Sequence, residues 1–377
     1  SAQTLAIGAL TLNPGDPTTL WVGTGEGNLS ADSYFGVGLY RVLNANGGSP
    51  MLDGPFETRV AGTGTAASNG HAFLYTSINK IVFDPNDNNR MFVGNTLGVG
   101  GSGPSSGGAA IGGGFIGLYF CGNAQGATPV FSRVSGLLGG GAAAVSDMVF
   151  EPGSSNNLIV STLDFGGGGT SGIYRSTDAG ATWTNLNSFG SMRGIASSAD
   201  GTVLAVLQNQ AIYISTDSGA TWINRELLRN WRGVAVSADG TKMVAASSTG
   251  GSNPAGVFCS TNTGVTWTQC NATSTDWMTV ASSSDGTYLY ATNYQGSTYY
   301  SANAGTSWTQ GHSSSNVQST AIGCGGTNCS SVVTGGPNSA LIQNSGAVTN
   351  AWVTRISGFR AWAGVSASTL SERSTTS

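Results

Sequence analysis

Short runs of alternating apolar and polar residues recur along this chain, separated by turn-forming residues, a pattern typical of β-strands. Each repeating unit opens with an apolar residue, followed three positions later by a second residue that is apolar in all units but one. The first members are Ile7, Ile78, Val145, Met192, Trp231, Trp277, Val317 and Trp362. The second members are Leu10, Ile81, Met148, Ile195, Val234, Val280, Thr320 and Val365. We predict that each opening begins a β-strand.

The spacing of these openings indicates one repeated supersecondary unit. Successive first members are 71, 67, 47, 39, 46, 40 and 45 residues apart. A four-stranded propeller blade needs about 40–50 residues, so five intervals fit a blade and the first two fit a blade with an insertion. We interpret residues 23–36, 61–76 and 97–114 as the inserted segments, on their Gly- and Ser-rich composition.

A second repeat is predicted to join the third and fourth strands of a unit. Its copies are Ser176-Thr-Asp-Ala-Gly-Ala-Thr-Trp183, Ser215-Thr-Asp-Ser-Gly-Ala-Thr-Trp222, Ser260-Thr-Asn-Thr-Gly-Val-Thr-Trp267 and Ser301-Ala-Asn-Ala-Gly-Thr-Ser-Trp308. A short Asx side chain accepts hydrogen bonds from backbone N–H groups just ahead of it and closes the turn. The Trp then packs as an apolar plug. The residues predicted to be structural are Asp178, Trp183, Asp217, Trp222, Asn262, Trp267, Asn303 and Trp308.

This motif resembles the Asp-box, or BNR, repeat of sialidase-like and xyloglucanase-like β-propellers. The resemblance is specific over residues 172–308, and it implies that the boxes are peripheral and structural. Seven units align on one Asx each: Asn44, Asn123, Asp178, Asp217, Asn262, Asn303 and Asn344. We therefore predict an all-β, seven-bladed β-propeller of four-stranded antiparallel blades with Asp-box hairpins over residues 1–358. Residues 359–377 are predicted to be a closing strand or the start of a further module.

The low charge of the chain narrows the classes of partner. Only 8% of residues are charged, the net charge is −4, and 59 residues are Gly. With two lysines and twelve arginines the chain has no basic stripe, which argues against nucleic acid as a partner. It also has no apolar run of the length that spans a membrane.

The positions of the five cysteines indicate whether the protein resides in an oxidising compartment. Cys324 and Cys329 are placed to face each other across a hairpin, and Cys259 and Cys270 flank one Asp-box loop. Two local disulfides, with Cys121 left over, predict a secreted or cell-surface protein. The alternative is a set of buried free thiols.

Catalytic chemistry is weakly supported. A sialidase-like enzyme is expected to carry an arginine triad and an early Arg-Ile-Pro motif, and the chain has no Arg-Ile-Pro. Glycosidases use two facing carboxylates, for which Glu26, Asp32, Asp147 and Asp164 are available. We predict no catalytic residues and no cofactor, with uncertain enzymatic activity. Glu26, Asn28 and Asp32 are candidate oxygen ligands for Ca²⁺, although a solvated loop is the favoured interpretation.

The strand openings are the candidate binding site. In a propeller they line one mouth of the central channel, and the positions just after each first member include Asn79, Lys80, Asp147, Arg193, Arg232 and Gln318. Trp231, Trp277 and Trp362 belong to the same openings. Aromatic rings beside polar groups are typical of sugar-binding surfaces. The alternative is that the Trp residues plug gaps between blades and the polar residues are solvated. The predicted binding residues are Trp231, Trp277, Arg193, Arg232, Asp147 and Lys80.

The leading functional hypothesis is an extracellular, non-catalytic recognition or scaffold module with carbohydrate as a candidate ligand. A glycan or a protein on an extracellular surface is the expected partner, and self-association is open. The alternatives are a glycoside hydrolase of the Asp-box propeller type and a structural component of a cell-surface layer or appendage.

Overall fold

The chain forms an all-β propeller, seen in a computed structural model. Neighbouring inner strands contact one another around the ring, and the last inner strand contacts the first. The residues described are 7–25, 36–45, 49–56, 72–73, 76–97, 116–137, 144–151, 154–163, 171–188, 190, 192–208, 210–227, 229–249, 253–271, 276–293, 297–313, 319–325, 328–336, 339–344, 352–356 and 369–371. From residue 311 onward the description covers the backbone.

Six sheets have four antiparallel strands each, ordered along the chain from the inner to the outer edge. Sheet 1 contains β1 (Ile7–Asn13), β2 (Asp16–Thr24), β3 (Leu39–Leu43) and β4 (Met51–Phe56). Sheet 2 contains β5 (Thr76–Asp84), β6 (Asp87–Leu97), β7 (Leu118–Cys121) and β8 (Phe131–Arg133). Sheet 3 contains β9 (Ala144–Phe150), β10 (Leu158–Leu163), β11 (Ile173–Ser176) and β12 (Thr184–Asn187). Sheet 4 contains β13 (Met192–Ser197), β14 (Leu204–Gln208), β15 (Ala211–Ser215) and β16 (Ile223–Leu227). Sheet 5 contains β17 (Asn230–Val236), β18 (Met243–Ser248), β19 (Gly256–Ser260) and β20 (Thr268–Asn271). Sheet 6 contains β21 (Trp277–Ser282), β22 (Leu289–Asn293), β23 (Ser297–Ser301) and β24 (Thr309–Ser313).

The prediction of seven four-stranded blades is wrong, because the described residues form six four-stranded sheets. The residues predicted to form a seventh belong to a five-stranded sheet, here called the closing sheet. Its strands are β25 (Ser319–Gly325), β26 (Asn328–Gly336), β27 (Ser339–Asn344), β28 (Trp352–Ile356) and β29 (Thr369–Ser371). The fifth strand, β29, pairs in parallel with the inner strand β25. Alternating sequence predicts a strand but not the edge at which a distant short segment pairs. The role of residues 359–377 as closing strand or start of a module stays a prediction.

The three-residue spacing of the apolar openings corresponds to a β-bulge in each of the six four-stranded sheets. In sheet 4, Met192 pairs with Gln208 and Gly194 with Leu207, which leaves Arg193 as the extra residue. Side chains of a regular strand alternate between two faces, so apolar residues three apart reach one core only across an extra residue. The extra residues in sheets 1 to 6 are Gly8, Asn79, Ser146, Arg193, Arg232 and Met278.

The core is divided into apolar clusters between neighbouring sheets. Between sheets 4 and 5, Trp231 packs edge-on against Phe258, with ring centroids 5.5 Å apart, and lies 6.3 Å from the ring of Trp267. Between sheets 5 and 6, Trp277 contacts Tyr299 at 5.3 Å. Because the core lies between sheets, each sheet depends on its neighbours for burial.

The four repeated turns between third and fourth strands, here called the Asx loops (residues 176–183, 215–222, 260–267 and 301–308), share one hydrogen-bond pattern. In the first, Ser176 Oγ donates to Asp178 Oδ1 at 2.8 Å and accepts from Gly180 N at 2.7 Å. Asp178 Oδ1 also accepts from Thr182 N at 2.8 Å. The corresponding bonds recur in the other three loops. Trp183, Trp222, Trp267 and Trp308 each pack against the cluster between their own sheet and the preceding one.

Two of the other aligned Asx residues, Asn44 and Asn123, lie in turns that differ from the Asx loops. Asn123 accepts from Val130 N and donates to Thr128 O across a longer loop. Asn44 itself has a positive φ of 53°. The side chain of Asn344, at the end of β27, lies outside the described part.

Candidate functional site

The antiparallel path of the chain gives the ring two unlike faces. Inner strands begin at one face, and second strands end there before the connection to the third. This face is called the loop face. The strand ends Thr24, Leu97, Leu163 and Ser248 lie there, as do the starts of the following strands, Leu39, Leu118, Ile173 and Gly256. The opposite face, called the turn face, carries the Asx loops and the tight turns between first and second strands. The inner strands therefore begin at the loop face, and binding residues are often found where connections leave a rigid scaffold.

Lys80 and Asp147 meet in a buried ion pair. Lys80 Nζ lies 2.7 Å from Asp147 Oδ1, and the two residues are 3% and 0% exposed. Asp147 also accepts from Met148 N and from Ile195 N, both at 2.9 Å. The carboxylate thus links β5, β9 and β13. Because Asp147 bonds to Lys80 of sheet 2, Met148 N of its own sheet 3 and Ile195 N of sheet 4, it joins three sheets.

Arg193 and Arg232 occupy the bulge position of neighbouring inner strands, β13 and β17, which contact each other. Arg232 Nε donates to Ser248 Oγ at 2.8 Å. The pKa of Arg232 is lowered to about 10, mainly by burial and also by the positive charge of Arg193, while the negative charge of Asp276 opposes the shift. Surrounding protein also lowers the pKa of Arg193, although its side chain is exposed to solvent. A side chain at the mouth of a channel is expected to be partly in contact with solvent and partly enclosed by protein.

Asp276 was not singled out from the sequence, and it completes this cluster. It directly precedes the opening residue Trp277, and that position was the available signal. Its Oδ1 accepts a hydrogen bond from Thr249 N, and Asn230 Nδ2 donates to Thr249 O at 3.0 Å. These bonds fix the start of the 249–255 connection beside Arg232.

Trp231 and Trp277 are both 0% exposed. Their rings are covered by Phe258 and Trp267 in one case and by Tyr299 in the other. The burial supports the interpretation that these rings plug gaps between sheets. Their predicted role in binding stays a prediction.

Several candidate residues lie outside the described part of the chain. Glu26, Asn28 and Asp32, the candidate Ca²⁺ ligands, are among them, as is the carboxylate Asp164. The same holds for Gln318 and Trp362. Within the described ranges, no group of three His, Cys, Asp or Glu side chains is arranged to hold a metal ion.

The turn face carries most of the described acidic residues and the exposed apolar ones. Hydrogen bonds from Thr182 and Thr221 lower the pKa of Asp178 and Asp217 to about 2. A bond from Ser198 likewise lowers the pKa of Asp200 to about 2. The large apolar side chains exposed among the described residues are Met51, Leu52, Val130, Ile223 and Val265, which lie in Asx loops or in outer strands and turns toward the turn face. The turn face is thus acidic and partly apolar, and the described loop face is hydrophilic with two neighbouring arginines.

One predicted disulfide is confirmed, between Cys259 and Cys270 on the paired strands β19 and β20. Cys121 is a buried free thiol. Cys324 and Cys329 are backbone partners in the closing sheet, and their side chains lie outside the described part.

Sequence comparisons leave the family open. No family model matches the chain, and no curated protein matches it. The described residues include no helix long and apolar enough to cross a membrane.

Two solved YCF48 structures confirm the predicted β-propeller. YCF48 from Cyanidioschyzon merolae superposes with a TM-score of 0.56 at 13% identity, covering 92% of this chain and 95% of that one. YCF48 bound to a D1 peptide gives a TM-score of 0.54 at 12% identity, with coverages of 91% and 92%. The GH74 enzyme of Niastella koreensis gives 0.45 at 17% identity, and this chain covers 65% of its length. At these identities the similarity shows the fold alone.

Proposed function

We propose that this protein is an extracellular recognition module without catalytic activity, and that a carbohydrate binds to its loop face around the channel mouth. The observation that carries the proposal is the set of polar groups beside the mouth. Arg193 and Arg232 stand there on adjacent bulges, next to the hydroxyl of Ser248 and the side chains of Asn230 and Asp276. A ligand rich in hydroxyl groups finds donors and acceptors on such a surface.

Two further observations support the details. Glycosidic catalysis uses two carboxyl groups that face each other, and Asp147 instead pairs with Lys80 and two backbone donors. The Cys259–Cys270 disulfide supports an oxidising compartment.

A glycan array followed by hydrogen exchange tests this function. The protein is expected to retain at least one oligosaccharide without releasing shorter products. Bound sugar should slow exchange at Asn230–Arg232 and Ser248–Thr249 and leave the Asx loops unchanged. Hydrolysis of the bound sugar, protection confined to the turn face, or no retained glycan would each contradict the proposal.

A peptide ligand is a second candidate. A YCF48 propeller that superposes over 91% of this chain has been solved with a D1 peptide bound. The D1 peptide is a ligand of YCF48. For this chain, that complex is the reason to include a peptide among the ligands tested.

A further inference from the structure

Sheet 6 buries a row of three threonines on one of its faces. Thr279 of β21 pairs with Thr292 of β22, which in turn pairs with Thr298 of β23, so the three side chains lie side by side across the sheet. The three residues, here called the threonine row, are 1%, 0% and 0% exposed. Within the described part of the chain, none of their hydroxyl groups has a hydrogen-bond partner. A buried hydroxyl group without a partner is unfavourable, and here three lie together.

The threonine row faces the closing sheet. Lys80 and Asp147 occupy the position of Thr279 in sheets 2 and 3, two residues after the opening residue, and both side chains reach toward the next sheet in the ring. The next sheet after sheet 6 is the closing sheet, whose inner strand β25 contacts β21 and β22. The residues of sheet 6 that pack against sheet 5 belong to the alternate face, and they include Val280, Ala291 and Tyr299.

The equivalent rows of sheets 4 and 5 contain apolar side chains. In sheet 5, Gly233, Ala246 and Val257 form the row, and the last two belong to the apolar cluster between sheets 5 and 6. In sheet 4, Leu207 and Ile212 belong to the cluster between sheets 4 and 5. Opening an interface of this kind is opposed because it would expose apolar surface to water. The threonine row has the opposite preference, since water would supply the hydrogen bonds that the closed interface lacks.

We propose that the propeller ring opens reversibly at the joint between sheet 6 and the closing sheet, where joint means the interface between two neighbouring sheets. Each buried hydroxyl group without a partner favours the open joint by about a factor of ten in the equilibrium constant. The described strand pairings of both sheets lie within each sheet, so opening separates the sheets without breaking a strand pair. The open state is a minor population that converts the closed channel into a cleft at the side of the ring.

Thiol labelling at matched buried positions tests this inference. The variant Thr292→Cys places a thiol in the joint that is proposed to open. Ala246→Cys and Ser161→Cys place one at the equivalent position of sheets 5 and 3, and all three positions are 0% exposed. A water-soluble maleimide should label Thr292→Cys at least about tenfold faster than either control. The unaltered chain is labelled in parallel so that the reaction of its own thiols, Cys121 included, is subtracted.

Removing the hydroxyl groups tests their part in the opening. Adding Thr279→Val and Thr298→Val to the Thr292→Cys variant should slow labelling about tenfold or more, because valine has the shape of threonine without the unpaired group. In the otherwise unaltered chain, the same two changes should raise the melting temperature by about 2–4 °C. The matched control is Thr24→Val. The Thr24 hydroxyl is equally buried, but it donates to Gly38 O at 2.6 Å and accepts from Val37 N and Gly38 N, so its loss should lower the melting temperature.

Two results would overturn the inference. Equal labelling rates at residues 292, 246 and 161 would show that the thiols react only when the whole chain unfolds. A melting temperature lowered by Thr279→Val/Thr298→Val as much as by Thr24→Val would show that the row is hydrogen-bonded to internal water and stabilises the closed joint. This second measurement needs no introduced cysteine, so it decides the question even where a cysteine variant does not fold.

Discussion

At the scale of single residues, the bulge decides what each polar side chain near a strand opening does. Arg193 and Arg232 are themselves the extra residues and stand at the channel mouth. Lys80 and Asp147 come one position later and are buried in an ion pair. The sequence grouped all four as one candidate site, because they lie within two residues of an apolar opening. Only the register separates them, since one position reverses the direction of a side chain.

Replacing Lys80 tests the structural role of the buried pair. In Lys80→Met the Asp147 carboxylate remains buried without its cation, and breaking such a pair costs about 3–5 kcal/mol. Urea unfolding should show this loss. The double variant Lys80→Met/Asp147→Leu removes both charges and should recover part of the stability. If Lys80→Met is as stable to urea as the original chain, the ion pair does not contribute to joining the sheets.

The Asx loops offer a second test at the same scale, in the pH dependence of stability. The pKa values of Asp178 and Asp217 are about 2 in the folded chain, below the ordinary 3.8. A lowered folded pKa stabilises the protein above the ordinary value, and the stabilisation is lost as the pH falls from about 4 to about 2. Asn262 and Asn303 hold equivalent loops without a charge.

The melting temperature of the double variant Asp178→Asn/Asp217→Asn should therefore fall less between pH 4 and pH 2 than the melting temperature of the original chain. The reverse change, Asn262→Asp, should add acid sensitivity. If the melting temperature depends on pH equally in all three proteins across that range, these hydrogen bonds do not couple protonation to folding.

At the scale of elements, the sequence predicts what is local and misses what is set by neighbours. The three-residue apolar spacing predicts the inner-strand starts of sheets 1 to 6, and the Ser-x-Asx-x-Gly pattern predicts four turns whose hydrogen bonds lie within eight residues. Burial of Trp231 and Trp277 depends on rings from other strands, such as Phe258 and Tyr299, which the opening pattern alone does not reveal. Asp276 was missed because its partner, Thr249, is distant in sequence.

The joint between sheets 5 and 6 combines a bulge with the disulfide. Cys270 is the extra residue of β20, as Leu186 is of β12, and both approach the Gly of the next Asx loop. A Cβ on Gly305 would lie 2.6 Å from Cys259 Sγ, so the loop rests directly on the disulfide. Two separate thiols need more room than the bonded pair.

Reduction with a dithiol should therefore loosen this joint selectively. Hydrogen exchange at Ala304–Ser307 should accelerate, and the loop at Ser218–Thr221, which rests on Leu186 instead, serves as the internal control. The disulfide closes a short loop, with a sequence separation of 11 residues, so its loss should also cost about 2–3 kcal/mol. Uniform acceleration in both loops would show that the disulfide acts on the whole ring rather than on one joint.

At the scale of the whole molecule, the β-propeller was predictable and its closure was not. Strand order, sheet size and the two-faced layout of sheets 3 to 6 follow from the repeat. Closure involves the contact of β25 with β1 and the parallel pairing of β29 with β25, and both join segments far apart in the chain. No repeat encodes such contacts, because each occurs once.

A chain ending at residue 356 tests what β29 contributes to closure. β25 pairs with β26 and contacts both β1 and β21, so the ring should stay closed without β29. The parallel pairing joins three pairs of residues, and at about one hydrogen bond for each pair and about 0.5–1.5 kcal/mol for each bond its loss should cost about 1.5–4.5 kcal/mol. Amide exchange at Ile322–Cys324 should accelerate, because these residues lose their partners Thr369–Ser371, while exchange in β1 and β21 stays the same. Cooperative urea unfolding of the shortened chain would confirm that the sheets close the ring among themselves. A broad transition, with faster exchange in β1 as well, would instead make residues 357–377 part of the closure.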